Sequence, residues 1–166
     1  MTAVVSDSSP LNYLALLSDF HLLREIYGSL IIPPAVHHEV VESGPDYPVA
    51  AAVRTALNTW ISVAEPPPAN EVAALQREYR LDLGESEAIL VAESLGRIPL
   101  LMDEQRGVRC ARFRGLTVIR TPLVYADAKM LGLIGSVRQK LDELRSVGFH
   151  LSDRHFEMIL KELGEL

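Results

Sequence analysis

Four carboxylates in this chain stand where they could act on one substrate together: Asp7, Glu39, Glu85 and Asp103. Asp7 ends a short apolar run and is followed by two serines in VVSDSSPL. Glu39 lies in IPPAVHHEV, Glu85 in LGESEAILVA and Asp103 in LLMDEQRG, where Glu104 is its neighbour. Each acid has a plain reading of its own. Asp7 and Asp103 are good helix caps. Glu85 suits the first turn of a helix, where the dipole favours negative charge. Glu39 reads as a solvated helix residue. Brought together, four such groups would repel one another, and burying them is costly unless they are paired or bound to a cation. Oxygen-only ligands suit a hard divalent ion, Mg²⁺ or Mn²⁺.

Convergence depends on the elements that carry these acids. Five brief apolar runs, at residues 3–5, 30–32, 60–63, 99–102 and 116–119, read as strands. Most are too apolar to leave one face in water, as expected of buried parallel strands. Helical patterns fill the gaps, and one helix is expected to run from Pro34 through Val41, because proline suits a first helical position. Strands alternating with helices predict an α/β domain with a mostly parallel sheet. In such sheets, sites form beyond the carboxyl ends of the strands. Asp7 and Asp103 fall just past the first and fourth strands. Glu39 sits early in the helix after the second strand. Glu85 opens the helix feeding the fourth and lies in line with Ala88, Ile89 and Ala92, whereas Glu87 points about 160° away from it.

The chain has 166 residues, 48% hydrophobic and 23% charged, a normal size and content for one domain with a substantial core. Residues 1–166 are expected to form one domain, with 136–166 as C-terminal helices packed on it. The net charge of −6 means that polyanions would not be bound by overall charge, so a nucleic-acid role needs a bridging metal or a local basic patch. Arg106, Arg109, Arg112 and Arg114 offer such a strip, and read equally well as a solvated helix face. The single cysteine, Cys110, cannot form an internal disulfide and reads as a buried small hydrophobe. No stretch is apolar enough to span a membrane and no signal-peptide pattern opens the chain, so a cytoplasmic location is expected. His37 and His38 adjoin Glu39, but neighbouring helical residues diverge by about 100°. Neither glycine-rich phosphate loop occurs, and no nucleophile-elbow glycines surround the serines near Asp7. A receiver-like phosphoacceptor domain would need an aspartate ending the third strand, and that strand runs into Val63, Ala64 and Glu65.

The stretches VVSDSSPL, IPPAVHHEV, LGESEAILVA and LLMDEQRG, in this order, resemble the PIN-domain ribonucleases, most nearly the toxin-type, VapC-like branch. The later stretch AKMLGLIGSVRQKLDELRSVGFHLSD resembles the C-terminal part of one PIN subgroup. The resemblance implies a three-layer α/β/α sandwich around a parallel sheet of about five strands in order 3-2-1-4-5. It implies a metal-dependent endoribonuclease using Mg²⁺ or Mn²⁺, with Asp7, Glu39, Glu85 and Asp103 as catalytic and metal-binding residues. Glu85 stands where the family usually has Asp, Glu104 is an alternative at the fourth position, and Ser8 or Ser9 would orient the first carboxylate. The family pattern also implies an RNA substrate, a small antitoxin partner and a homodimer. The alternative is a PIN-like module that binds RNA or protein without catalysis.

Overall fold

The computed structural model describes residues 3–166. Its five strands are β1 (Val4–Ser6), β2 (Leu30–Ile32), β3 (Ile61–Val63), β4 (Leu100–Leu101) and β5 (Val118–Ile119). All pair in parallel, in the order β3-β2-β1-β4-β5. The winding reverses between β1 and β4, which makes them neighbours: Val5 pairs with Leu100 and Ser6 with Leu101. The next step continues the ladder, since the Asp7 amide donates to the Leu101 carbonyl at 3.0 Å.

Side chains alternate across the sheet, as strand geometry requires. Val4 and Leu101 join one apolar cluster, while Val5 and Leu100 join another on the opposite face. The first cluster is closed by α1 (Ser8–Leu16), α2 (His21–Tyr27), α4 (Pro48–Ala56) and α8 (Thr121–Met130). The second is closed by α5 (Ala69–Tyr79), α6 (Leu83–Ser94) and α7 (Gln105–Phe113). The result is the expected three-layer α/β/α arrangement.

Helices α9 (Val137–Ser146) and α10 (Asp153–Glu162) add Leu141, Leu144, Phe156 and Leu160 to the first cluster. Polar contacts reinforce this seat. Buried Asp19 accepts from the Tyr125 hydroxyl at 2.8 Å and pairs with Lys140 of α9 at 3.0 Å. Near the C-terminal end, Glu165 accepts from the amides of Val137 and Arg138, at 2.8 and 2.9 Å, and so caps α9. Those amides pull its carboxyl down to about 2.

Two local features differ from expectation. The strands at β4 and β5 are shorter than the apolar runs that announce them. The helix starting at Pro34 is α-helical only over α3 (Pro34–His37), then widens into a π-helical turn at His38–Glu42. The wider turn lets Glu42 approach both His37, at 3.4 Å, and His38, at 2.8 Å. The histidines thus face Glu42, and Glu39 rides on a segment of altered pitch, a feature frequent at functional sites.

Glu87, the acid turned away from Glu85, has a structural post. It is buried, and its Oε2 accepts from the Ala35 amide at 2.8 Å, tying α6 to the start of α3. Glu87→Ala leaves that amide without its charged acceptor. The expected cost is about 1–2 kcal/mol, read as a lower urea midpoint with an unchanged slope.

Candidate metal and nucleic-acid site

At the carboxyl ends of β1 and β4 lies a polar cavity of about 300 Å³. Asp7, Glu39, Asp82, Glu85 and Glu104 line it, together with Arg80 and Arg106. Three of the four acids singled out in the sequence therefore meet there. Asp103 is not among the lining residues, and its neighbour Glu104 is.

Asp7 occupies the N-cap position of α1, yet its side chain makes no capping hydrogen bond. Glu104 holds the same position at α7, again with no capping bond from its side chain. Asp82 is the contrast, because it caps α6 in full. Its Oδ1 accepts from the Glu85 amide at 2.7 Å, and Glu85 Oε2 accepts from the Asp82 amide at 2.9 Å. This reciprocal capping box ties up one oxygen of Glu85. Two acids at helix starts thus forgo the stabilisation available to them and face a shared cavity instead.

The electrostatics carry the cost. Asp7 is buried, and burial is the main reason its carboxyl is pushed up from 3.8 to about 8. The Ser8 amide offsets this in part, while the charges of Asp82, Glu85 and Glu39 add to it. Glu85 is also raised, first by burial, against the Asp82 amide that favours its charge, and then by Asp82, Glu104 and Glu39. Glu39 is held by the Ser8 hydroxyl, which donates to Oε2 at 2.7 Å. Ser8 therefore orients the second carboxylate rather than the first: as the opening residue of α1, it points toward the π-helical turn. Gly84 allows the close approach of α6, since a Cβ there would lie 3.3 Å from Asp7 Oδ1 and 3.4 Å from Val36.

Asp103 has a different neighbourhood. Its Oδ1 accepts from the Thr121 amide at 2.8 Å and its Oδ2 from the Thr121 hydroxyl at 2.6 Å. It therefore clasps the first turn of α8 to the end of β4. Burial raises its pKa, and the Thr121 bonds and the Arg120 charge oppose that rise. Asp82 and Thr121 were not singled out in the sequence. The D-x-x-E spacing of Asp82 and Glu85 is a legible capping signal, whereas the Asp103–Thr121 clasp joins distant segments and has no local signature.

Among the described residues, no group of three or more acidic, histidine or cysteine side chains is gathered closely enough to hold a metal ion as it stands. The donor set nevertheless fits a hard divalent cation. It is all oxygen, three of its members are flexible glutamates, and the charges of Asp82, Glu85 and Glu39 that bear on Asp7 favour a positive ion beside it.

A family model described as "DUF3368: PIN domain" matches residues 3–165. No relative among curated proteins matches the chain. The solved structure titled "Crystal Structure of PAE2754 from Pyrobaculum aerophilum" is similar at 22% identity, with a TM-score of 0.53, covering 77% of this chain and 96% of that one. A PilT N-terminus domain protein, SSO1118 from Sulfolobus solfataricus P2, is 23% identical over 77% of this chain and 93% of its own, with a TM-score of 0.47.

Proposed function

From the premise that this chain belongs to the PIN-domain family, generally a nuclease fold, we propose that it is a metal-dependent endoribonuclease hydrolysing RNA phosphodiester bonds. One observation carries the reading: carboxylates from four separate segments line one cavity, and two of them stand at helix caps without capping. Mg²⁺ or Mn²⁺ would be held by Asp7, Glu39 and Glu85, with Glu104 at the rim and Asp103 at the strand end beside them. When bound, such an ion lowers the pKa of a water ligand and neutralises charge on the scissile phosphate.

The protein's own residues supply the rest. The Ser8 hydroxyl fixes one oxygen of Glu39 and leaves the other available. The Asp82 amide does the same for Glu85. The Asp103–Thr121 clasp holds the end of β4, from which Glu104 projects. Arg80 and Arg106, on the cavity wall, are suited to receive phosphate oxygens. The toxin-type reading adds a small antitoxin protein and a homodimer as partners, with expression beside a neighbouring small protein as their test.

The enzymatic reading predicts that purified protein cleaves mixed RNAs with Mg²⁺ or Mn²⁺ and stops on EDTA addition. Absence of metal-dependent cleavage with either ion would leave the non-catalytic binding module as the better account.

A further inference from the structure

A second cavity, of about 450 Å³, opens between α7, the start of α8 and α10. Arg109 and Arg112 of α7, Arg120 and His155 line its polar side, and Leu123 and Ile159 are among its apolar residues. We propose that this cavity is a subsite for single-stranded RNA, taking successive backbone phosphates on Arg109 and Arg112 and an unstacked base on its apolar floor. The inference rests on the nuclease reading above and extends it to how the substrate is held.

Four observations support it. The chain is acidic overall, with a net charge of −6, yet no carboxylate lines this cavity. Among the described residues, Arg109, Arg112 and Arg120 take part in no ion pair. The Arg120 Nε is buried with no hydrogen-bond partner, while its guanidinium lies over the Phe149 ring at 5.8 Å. Asp103, which is within electrostatic reach of Arg120, already has both oxygens committed to Thr121. Guanidiniums that no carboxylate contacts directly leave their hydrogen-bonding edges open to an anionic ligand.

The position relative to the acidic cavity favours a single strand, which the nuclease reading makes RNA. Arg106 lines that cavity, while Arg109 and Arg112 follow it on the same helix by about 4.5 and 9 Å of axial rise. Gln105, Val108, Arg109 and Arg112 share one face of α7, so a strand leaving the carboxylates meets the arginines next. An unpaired base can stack on a guanidinium plane and pack its face against apolar side chains. A duplex keeps its bases stacked inside and cannot use such a floor.

The test measures the affinity of a labelled, mixed-sequence single-stranded RNA for the full chain carrying Asp7→Asn, so that the RNA is not cut, across a salt series. Adding Arg109→Gln with Arg112→Gln is expected to weaken binding roughly tenfold at low salt. It should also flatten the slope of log affinity against log salt by about 1.4, or 0.7 per lost phosphate contact. The charge-matched pair Arg24→Gln with Arg77→Gln, on α2 and α5, should change the slope far less. Arg109→Lys with Arg112→Lys, which keeps the charge, should restore the slope even if the glutamine pair proves less stable. Equal losses from both glutamine pairs, or duplex RNA competing as well as the single strand, would overturn the subsite, as would an Asp7→Asn chain that binds no RNA. A wild-type chain that cuts nothing with Mg²⁺ or Mn²⁺, while binding still depends on Arg109 and Arg112, would sink the nuclease reading and leave the subsite standing.

Discussion

Asp7→Asn is expected to remove the proposed metal-dependent RNA cleavage, by at least about a hundredfold, and to make the metal-free protein more resistant to heat near pH 8. The activity loss follows from the role proposed for Asp7 as a direct ligand, because groups that merely support a ligand cost about 10–100-fold when removed. The gain in stability follows from burial. Unfolded, the Asp7 carboxyl titrates near 3.8; folded and without metal, it titrates near 8. Between those values the folded chain holds a proton that the unfolded chain has released. Stability therefore falls as pH rises from about 4 to about 8, and stays lower above that. Asparagine carries no charge, so it removes this part of the slope. Thermal melts of both proteins across that range, with EDTA present, are expected to diverge as pH rises, the variant melting higher. A cap role for Asp7 predicts instead a variant of about the same stability as the wild type across this range, since asparagine caps a helix about as well as aspartate.

Asp103→Ala unfolds the chain more readily, by about 2–4 kcal/mol and roughly 10 °C in melting temperature. Thr121 is fully buried, and the substitution strands both its amide and its hydroxyl. The first turn of α8 also loses the negative charge that favours a helix N-terminus. Asp103→Asn should lose far less stability, because the amide oxygen can accept from the Thr121 amide while the amide nitrogen donates to the hydroxyl. Urea titrations of the two variants separate these cases. Equal stability in the alanine and asparagine variants would show that the clasp contributes little. Loss of cleavage in a well-folded Asp103→Asn would assign Asp103 a direct part in the chemistry beyond its hold on α8.

The strands and the α/β class were legible because their signals are local and repeated: five apolar runs, each bounded by polar residues, with helical patterns between them; the strand order came only with the family resemblance. The carboxyl edge was legible for the same reason, since an acid following a strand must lie there. What the sequence left open is which of two adjacent acids enters the cavity. Asp103 and Glu104 differ by one position at a strand end, and a clasp to Thr121, 18 residues away, decides how Asp103 is held. The π-helical turn under Glu39 was equally hidden, because α and π pitch share the same residue preferences over so short a stretch. Ser8 or Ser9 was expected to serve Asp7, and the reach of Ser8 to Glu39 depends on how two helices meet. Glu87 shows the same limit in reverse: helix geometry turned it away from Glu85, and only tertiary packing gives it the α3 amide to hold.

The most direct test of the central claim, that Asp7, Glu39 and Glu85 converge on a divalent cation, is a Mn²⁺ titration of the purified chain near pH 8 followed by the melting temperature. Saturable binding that raises the melting temperature, and that disappears in Asp7→Asn, is the predicted result. Binding of equal strength in wild type and Asp7→Asn, or no binding to either, would contradict it.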